Sequence, residues 1–157
     1  MITLCCTSDN HGDKMILDKI KTKYPHCDAY LHAGDSEMML SKQSDWLSVI
    51  GNCDFDYDLP RYRMIEINGI KILLTHSHLF YSKQDMYDLA KQTQCHVVIY
   101  GHTHRPMVEQ YDDIYMINPG SCAHNRDGSL PCFMILSFDN DTRQLIDANR
   151  IEVRNIK

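Results

Sequence analysis

The chain has no apolar run approaching the roughly 20 residues that a membrane-crossing helix requires. Its longest runs, Ile70 to Thr75 and Pro131 to Phe138, fall far short, so no transmembrane segment and no membrane partner are expected. It has no CxxC pair, and its seven cysteines are odd in number and scattered. That excludes a disulfide framework and a zinc ribbon, and predicts reduced, mostly buried thiols. Basic residues are outnumbered: 16 Lys and Arg stand against 21 Asp and Glu, a formal net charge of −5. This balance excludes a protein built to coat nucleic acid or an anionic membrane, and no dedicated nucleic-acid surface is expected. The start, Met1 to Cys6, carries no basic stretch and turns polar at Thr7-Ser8-Asp9-Asn10, unlike a secretory signal, which points to a cytoplasmic protein. Neither an internal repeat nor a Pro/Gly/Ser-rich linker interrupts residues 1–157, so one domain is expected over that length.

What is present is 43% hydrophobic and 24% charged, the make-up of an ordinary globular protein rather than a disordered chain. Ile2 to Thr7, Asp28 to Ala33, Trp46 to Ile50 and His96 to Tyr100 read as buried strands. Asp13 to Lys23 and Ser82 to Gln94 carry apolar residues at helical spacing. Pro25 closes the first helix, and Ser82 opens the second as an N-cap with Asp85 three residues on. Arg61 to Ile67 and Ile70 to Thr75 flank Asn68-Gly69, a dipeptide whose tolerance of positive φ predicts a tight hairpin. From Met107 the chain reads as almost entirely β, in the runs Met107 to Tyr111, Tyr115 to Asn118, Cys132 to Phe138 and Leu145 to Val153.

The chemistry lies where the strands stop: Asp9-Asn10-His11, Gly34-Asp35, Gly51-Asn52, His76-Ser77-His78 and Gly101-His102-Thr103-His104. In a mostly parallel α/β sheet, ligands bind beyond the carboxyl ends of the strands, so tails distant in sequence can share one crevice. Residues i and i+2 of an extended segment project to one side, which pairs Asp9 with His11 and His102 with His104. Imidazole nitrogens with carboxylate oxygens suit Mn²⁺, Fe²⁺, Ni²⁺ or Zn²⁺, and the lack of a cysteine set argues against a thiolate site. Asp9, His11, Asp35, Asn52, His76, His102 and His104 are more ligands than one ion takes while keeping an open position, so the set implies two ions and a shared carboxylate. Two carboxylates in one crevice repel each other; two divalent ions turn that cost into binding and create an anion site on an acidic protein.

The ordered blocks Ser8-Asp9-Asn10-His11-Gly12, Gly34-Asp35, Gly51-Asn52-Cys53-Asp54, Thr75-His76-Ser77-His78, Gly101-His102-Thr103-His104 and Asn118-Pro119-Gly120-Ser121 span residues 8 to 121. Together they resemble the sequential motifs of the calcineurin-like metallophosphoesterases, specifically the small bacterial and archaeal phosphodiesterase branch. The resemblance implies a four-layer α/β fold of two facing β-sheets flanked by helices. It implies one metal on Asp9, His11, Asp35 and His104 and another on Asp35, Asn52, His76 and His102, with Asp35 bridging and Mn²⁺ the foremost candidate. It implies hydrolysis of a small phosphate ester, foremost a diester, by in-line attack of a metal-bridging hydroxide. His78 is then the candidate proton donor to the leaving group, and Asn118 to Ser121 form a structural turn beneath the site. Members are often oligomeric, so a homo-oligomer is compatible.

Two positions depart from the family pattern. Larger relatives carry a histidine where this chain has Cys53, which removes the obvious general acid. Ser77 stands where the branch usually has glycine, and its Cβ and hydroxyl either crowd the backbone or supply a hydrogen bond beside His76. The rival reading is a non-catalytic, metal-binding interaction scaffold on the same fold, which is known without most of its catalytic ligands. A metallo-β-lactamase-type hydrolase is excluded, because His102-Thr103-His104 continues as Arg105-Pro106 rather than as HxHxDH. Of the other histidines, His26 and His96 read as structural or exposed, His32 as structural or supporting, and His124 as lining the substrate entrance, while Arg126 reads as a solvated loop residue first and a phosphate contact second. Met38, Met39, Leu40 and Trp46 read as core packing or, failing that, as a surface for self-association.

Overall fold

A computed structural model of the chain describes residues 1–156. Ten strands and two α-helices follow in the order β1 (Ile2–Thr7), α1 (Lys14–Lys23), β2 (Ala29–His32), β3 (Leu47–Ser48), β4 (Tyr62–Ile67), β5 (Ile70–Thr75), α2 (Lys83–Gln92), β6 (Val97–Tyr100), β7 (Met107–Tyr111), β8 (Ile114–Asn118), β9 (Cys132–Phe138) and β10 (Leu145–Glu152). The strands form two five-stranded sheets, ordered β10-β9-β1-β2-β3 and β4-β5-β6-β8-β7. Within the first, β1, β2 and β3 run parallel; within the second, β5, β6 and β8 do.

The period-2 geometry of a strand explains the layering. Leu4 and Cys6 of β1 join Ile72, Leu74, Ile99 and Ile117 of the other sheet in the central core. Cys5, between them, points the opposite way and packs with Ile16, Leu17 and Ile20 of α1. In the second sheet, Leu73, Val98 and Met116 leave the central core and meet Met86 and Ala90 of α2. The result is helix, sheet, sheet, helix: the expected four layers. Burying one Leu or Ile in such a core is worth about 1.5–3 kcal/mol, so the inward stripes hold the sheets face to face.

Local signals behave as the residues dictate. The Asp13 carboxylate caps α1 by accepting from the Ile16 amide, and the Ser82 hydroxyl caps α2 by accepting from the Asp85 amide. Asn68 and Gly69 take φ of 49° and 90° and join Ile67 to its partner Ile70, the turn that a two-residue hairpin needs. One expectation is corrected. The strand read over Trp46 to Ile50 contracts to Leu47–Ser48, because the Ile50 amide leaves the sheet and donates to the Pro60 carbonyl at 2.8 Å. Met38 and Trp46 are buried in the α1 layer, so they pack the core and offer no self-association surface, while Met39 stays exposed. Among the described residues, no helix is long and apolar enough to cross a membrane. All seven cysteines are free, five of them buried.

Candidate metal centre

Each block lies just past the carboxyl end of a strand: Asp9 and His11 after β1, Asp35 after β2, Asn52 after β3, His76 after β5, and His102 and His104 after β6. Because those strands run parallel within their sheets, the tails gather at one edge of the sandwich. Two groups of close donor atoms result, one of Asp9, His11 and His104 and one of Asp9, Asp35 and His76. In the first, His104 Nε2 lies 3.1 Å from Asp9 Oδ1 and 3.4 Å from His11 Nε2. In the second, His76 Nε2 lies 3.3 Å from Asp35 Oδ2 and 3.9 Å from Asp9 Oδ1. Asn52 and His102 close around it, with Asn52 Oδ1 at 2.9 Å from His76 Nε2 and 3.0 Å from His102 Nδ1. All seven expected side chains therefore meet. Asp9 Oδ1 approaches histidines of both groups, His104 at 3.1 Å and His76 at 3.9 Å.

The donor chemistry fits cations. His76 donates through Nδ1 to the Ala33 carbonyl at 2.8 Å, so its Nε2 faces Asp35, Asn52 and His102 with a lone pair. Acceptors crowd that nitrogen on every side, and only a proton or a metal ion can sit among them favourably. Burial works against charge on Asp35, but the His76 contact and charge together with the Cys53 amide outweigh it and hold its carboxyl well below the usual carboxylate range. Burial likewise opposes a charged His76, yet Asp35 and Asp9 raise its affinity for a proton above the ordinary value.

Surrounding groups fix these ligands. Asp54 accepts from the amides of Asp35, Gly51 and Glu37 at 2.9, 2.7 and 2.7 Å, clamping the Asp35 loop to the Asn52 loop. Ser121, in the turn after β8, donates its hydroxyl to the Asp9 carbonyl at 2.8 Å. Glu37 lies 2.6 Å from His11 Nδ1 and orients that ring. Nothing in the local sequence marks Glu37 or Asp54 for these roles beyond the i+2 spacing of Asp35 and Glu37, the same as that of Asp9 and His11. Two glycines are dictated by the ligands themselves. A Cβ on Gly51 would lie 2.1 Å from Asp35 Oδ1, and one on Gly101 would lie 2.1 Å from Ser8 Oγ and 2.9 Å from Asp9 Oδ2. Asp9, His11, Asp35, His102 and His104 all adopt positive φ, between 46° and 72°, a region uncommon for residues other than glycine though more open to Asp, Asn and His than to most.

A family model for the calcineurin-like phosphoesterase superfamily domain matches residues 2–141. The chain belongs to this superfamily. A probable metallophosphoesterase, YsnB of Bacillus subtilis strain 168, is 33% identical over 140 residues, covering 85% of this chain and 83% of the relative. Phosphodiesterase YfcE of Escherichia coli K12 is 28% identical over 148 residues, covering 89% and 72%. Among solved structures, one from Streptococcus pneumoniae TIGR4, described as a predicted phosphoesterase, superposes with a TM-score of 0.85 at 26% identity over 96% of this chain and 97% of that one. Vps29 of Entamoeba histolytica, complexed with Zn²⁺, superposes with a TM-score of 0.72 at 20% identity over 97% and 99%, which shows a shared fold alone. As a calcineurin-like phosphoesterase, the chain is a hydrolase of phosphate esters, and the superfamily relies on divalent metals.

The remaining expected residues are placed as follows in this superfamily member. His78 is half-buried beside the cluster, its ring 5.3 Å from that of His76 and 6.4 Å from that of His102. Its Nδ1 is buried without a hydrogen-bond partner among the described residues. Burial, then the neighbouring His76 and His102, push its pKa down. Cys53 is exposed, and its backbone amide donates to Asp35 Oδ1 at 2.8 Å, so its main chain does the work at that position. Ser77 has φ of 88°, and its hydroxyl reaches the Gly101 carbonyl at only 3.5 Å. Its Cβ thus occupies a backbone region where glycine is the unstrained choice. His32 is fully buried, bonded through Nε2 to Asn10 Oδ1 at 2.7 Å and accepting through Nδ1 from the Gly34 amide at 3.1 Å. His96 accepts from the Lys71 amide at 2.9 Å, and His26 is exposed.

Proposed function

We propose that this chain is a dinuclear-metal-dependent phosphodiesterase. The observation that carries the reading is the convergence of seven oxygen- and nitrogen-bearing side chains into two adjacent groups that meet at Asp9. Asp9, His11 and His104 would hold one ion and Asp35, Asn52, His76 and His102 the other, with one carboxylate shared. A bound pair of divalent ions supplies acidification of water and positive charge against the phosphate oxygens, so no protein base is needed. The residues of the chain do the rest. Asp54, Ser121 and Glu37 keep the ligands in one geometry, and the Gly51 and Gly101 backbones leave room for their carboxylates. His78, beside His76 and His102, or solvent would give a proton to the leaving group now that Cys53 occupies the alternative position. Diester over monoester follows the name of the YfcE relative. Imidazoles, carboxylates and one amide accept Mn²⁺, Fe²⁺, Ni²⁺ or Zn²⁺, and Mn²⁺ is the foremost candidate on availability rather than ligand set; free thiols fit a reducing cytoplasm.

The scaffold alternative gives a different outcome in one assay. Protein purified without chelator and supplied with Mn²⁺ should hydrolyse bis(p-nitrophenyl) phosphate, and Asp35→Ala should not. Tight metal binding with turnover no greater than that of Asp35→Ala would reject catalysis and favour the scaffold.

A further inference from the structure

The cavity beside the candidate centre has a volume of about 460 Å³ and is walled by His102, Arg105, Arg126, Lys83, Tyr100 and Met107. Such a volume falls in the usual range for small-molecule sites, roughly 300–1,000 Å³. His102 ties the cavity to the centre, because its Nδ1 lies 3.0 Å from Asn52 Oδ1 and 3.2 Å from His76 Nε2. Both arginines are fixed to the other group as well: Arg105 directly follows His104, and the Arg126 amide donates to the His104 carbonyl at 2.8 Å.

The charges in this cavity are not equivalent. Lys83 is neutralised by Glu109, Nζ to Oε1 at 2.5 Å, and also lies over the Tyr100 ring at 5.9 Å from its centroid. Lys14, Lys21 and Arg154 on the surface are likewise matched, to Asp18, Asp45 and Glu152. The guanidinium groups of Arg105 and Arg126, like that of Arg61 elsewhere on the surface, have no ion-pair or hydrogen-bond partner among the described residues; what sets these two apart is that both line the cavity next to His102. Two unmatched planar forks facing one cavity suit the oxygens of a phosphate, which they can bind in a bidentate manner. Tyr100, Met107 and the neutralised Lys83 stem supply an apolar wall for whatever links that phosphate to the reacting one.

We propose that the cavity beside His102 receives a second phosphate carried on one arm of the substrate, making Arg105 and Arg126 specificity-determining residues for phosphorylated diesters. The proposal rests on the phosphodiesterase reading above and narrows its substrate class. The scissile phosphate sits at the metal ligands, and the second lies beyond the arm that enters the cavity.

Two substrates that differ by one phosphate test this: thymidine 5′-(p-nitrophenyl phosphate) and the same compound with a 3′-phosphate, each with Mn²⁺-loaded protein. A charge-assisted contact predicts that kcat/KM favours the 3′-phosphorylated compound by about 10-fold or more. In the R105Q/R126Q double variant the ratio should collapse toward one. In Arg61→Gln, whose guanidinium lines a different cavity next to His78, the ratio should persist. A binding measurement stands apart from turnover: thymidine 3′,5′-bisphosphate should bind the wild-type protein about 10-fold tighter than thymidine 5′-monophosphate by calorimetry, and the double variant should lose that gap. A wild-type ratio near one, a ratio that survives the double variant, or an equal loss in Arg61→Gln overturns the proposal. If bis(p-nitrophenyl) phosphate is not turned over at all, the phosphodiesterase reading fails, and the calorimetric comparison alone decides the cavity.

Discussion

His76 and His11 are both imidazoles aimed at aspartates, yet they are held in opposite ways. His76 is fully buried, and a backbone carbonyl, that of Ala33, fixes its tautomer. His11 keeps 29% of its side chain exposed and is fixed by Glu37, a carboxylate itself 38% exposed. The same contrast runs through their partners. Asp35 takes a hydrogen bond from the Cys53 amide and has its own amide clamped by Asp54, whereas His104 has an Nδ1 that is buried and unpartnered among the described residues. The ring of His76 is therefore set by the backbone, and the ring of His11 by a side chain at the surface. A site held by backbone costs little entropy to keep in order and is hard to perturb singly. A site held by a surface carboxylate can be weakened by one substitution.

The largest effect should come from the carboxylate that the two groups share. Asp9→Ala should lower turnover of bis(p-nitrophenyl) phosphate by more than about 100-fold, beyond what loss of a supporting residue costs. By the geometry of Asp9 Oδ1 it should also deplete both ions, as read by bound metal per chain. Retention of one ion in Asp9→Ala, with loss of both in Asp35→Ala, would move the shared role to Asp35. Next, Glu37→Gln should weaken one of the two ions by about 10–100-fold and leave the other unchanged in a metal titration. Equal weakening of both would break the contrast between the halves.

A smaller effect concerns His32, which props the loop of Asn10 from beneath. Burial, the largest influence, lowers its pKa to about 4. Its Nδ1 already accepts from the Gly34 amide, so protonation there would set two N–H groups against each other. Because the folded value lies below the ordinary one near 6.5, the unfolded chain takes up the proton first as pH falls. The stabilisation is fully present above about pH 6.5 and is lost toward pH 4, by at most about 1.4 kcal/mol per pH unit. Urea midpoints should fall across that window, and less steeply in His32→Asn; identical slopes would refute the assignment. The smallest effect is a gain. Ser77→Gly should relieve the positive φ and stabilise the fold by about 0.5–1 kcal/mol, read as a higher urea midpoint, and a lower midpoint would show that the long contact to Gly101 matters more than the strain.

Much of this architecture is legible in the residues. The hairpin at Asn68-Gly69, the cap at Ser82 and the buried runs of β1 and β6 follow from turn chemistry and apolar patterning, which act over a few residues. The ligands are legible because acids and histidines cluster where apolar runs stop. What is not legible depends on long-range geometry. β3 is short because Pro60 captures the Ile50 amide, a pairing that no local pattern encodes. Glu37 and Asp54 read as loop acids until the fold brings them to His11 and to three amides. Left-handed backbone at Asp9, His11 and His104 is tolerated by Asp and His but not announced by them, since the rest of the fold imposes the conformation. Arg126 reads from sequence only as a loop residue near the site; the cavity it shares with Arg105 is hidden, because its walls come from positions 83 to 126 of the chain.

The claim on which the rest stands is that these side chains hold two cations, and the most direct measurement is the number of Mn²⁺ ions per chain at saturation, located by anomalous scattering. Two sites within a few ångströms, one against His11 and His104 and one against His76 and His102, is the predicted result. A single ion at saturating Mn²⁺, or ions bound away from these histidines, would contradict it.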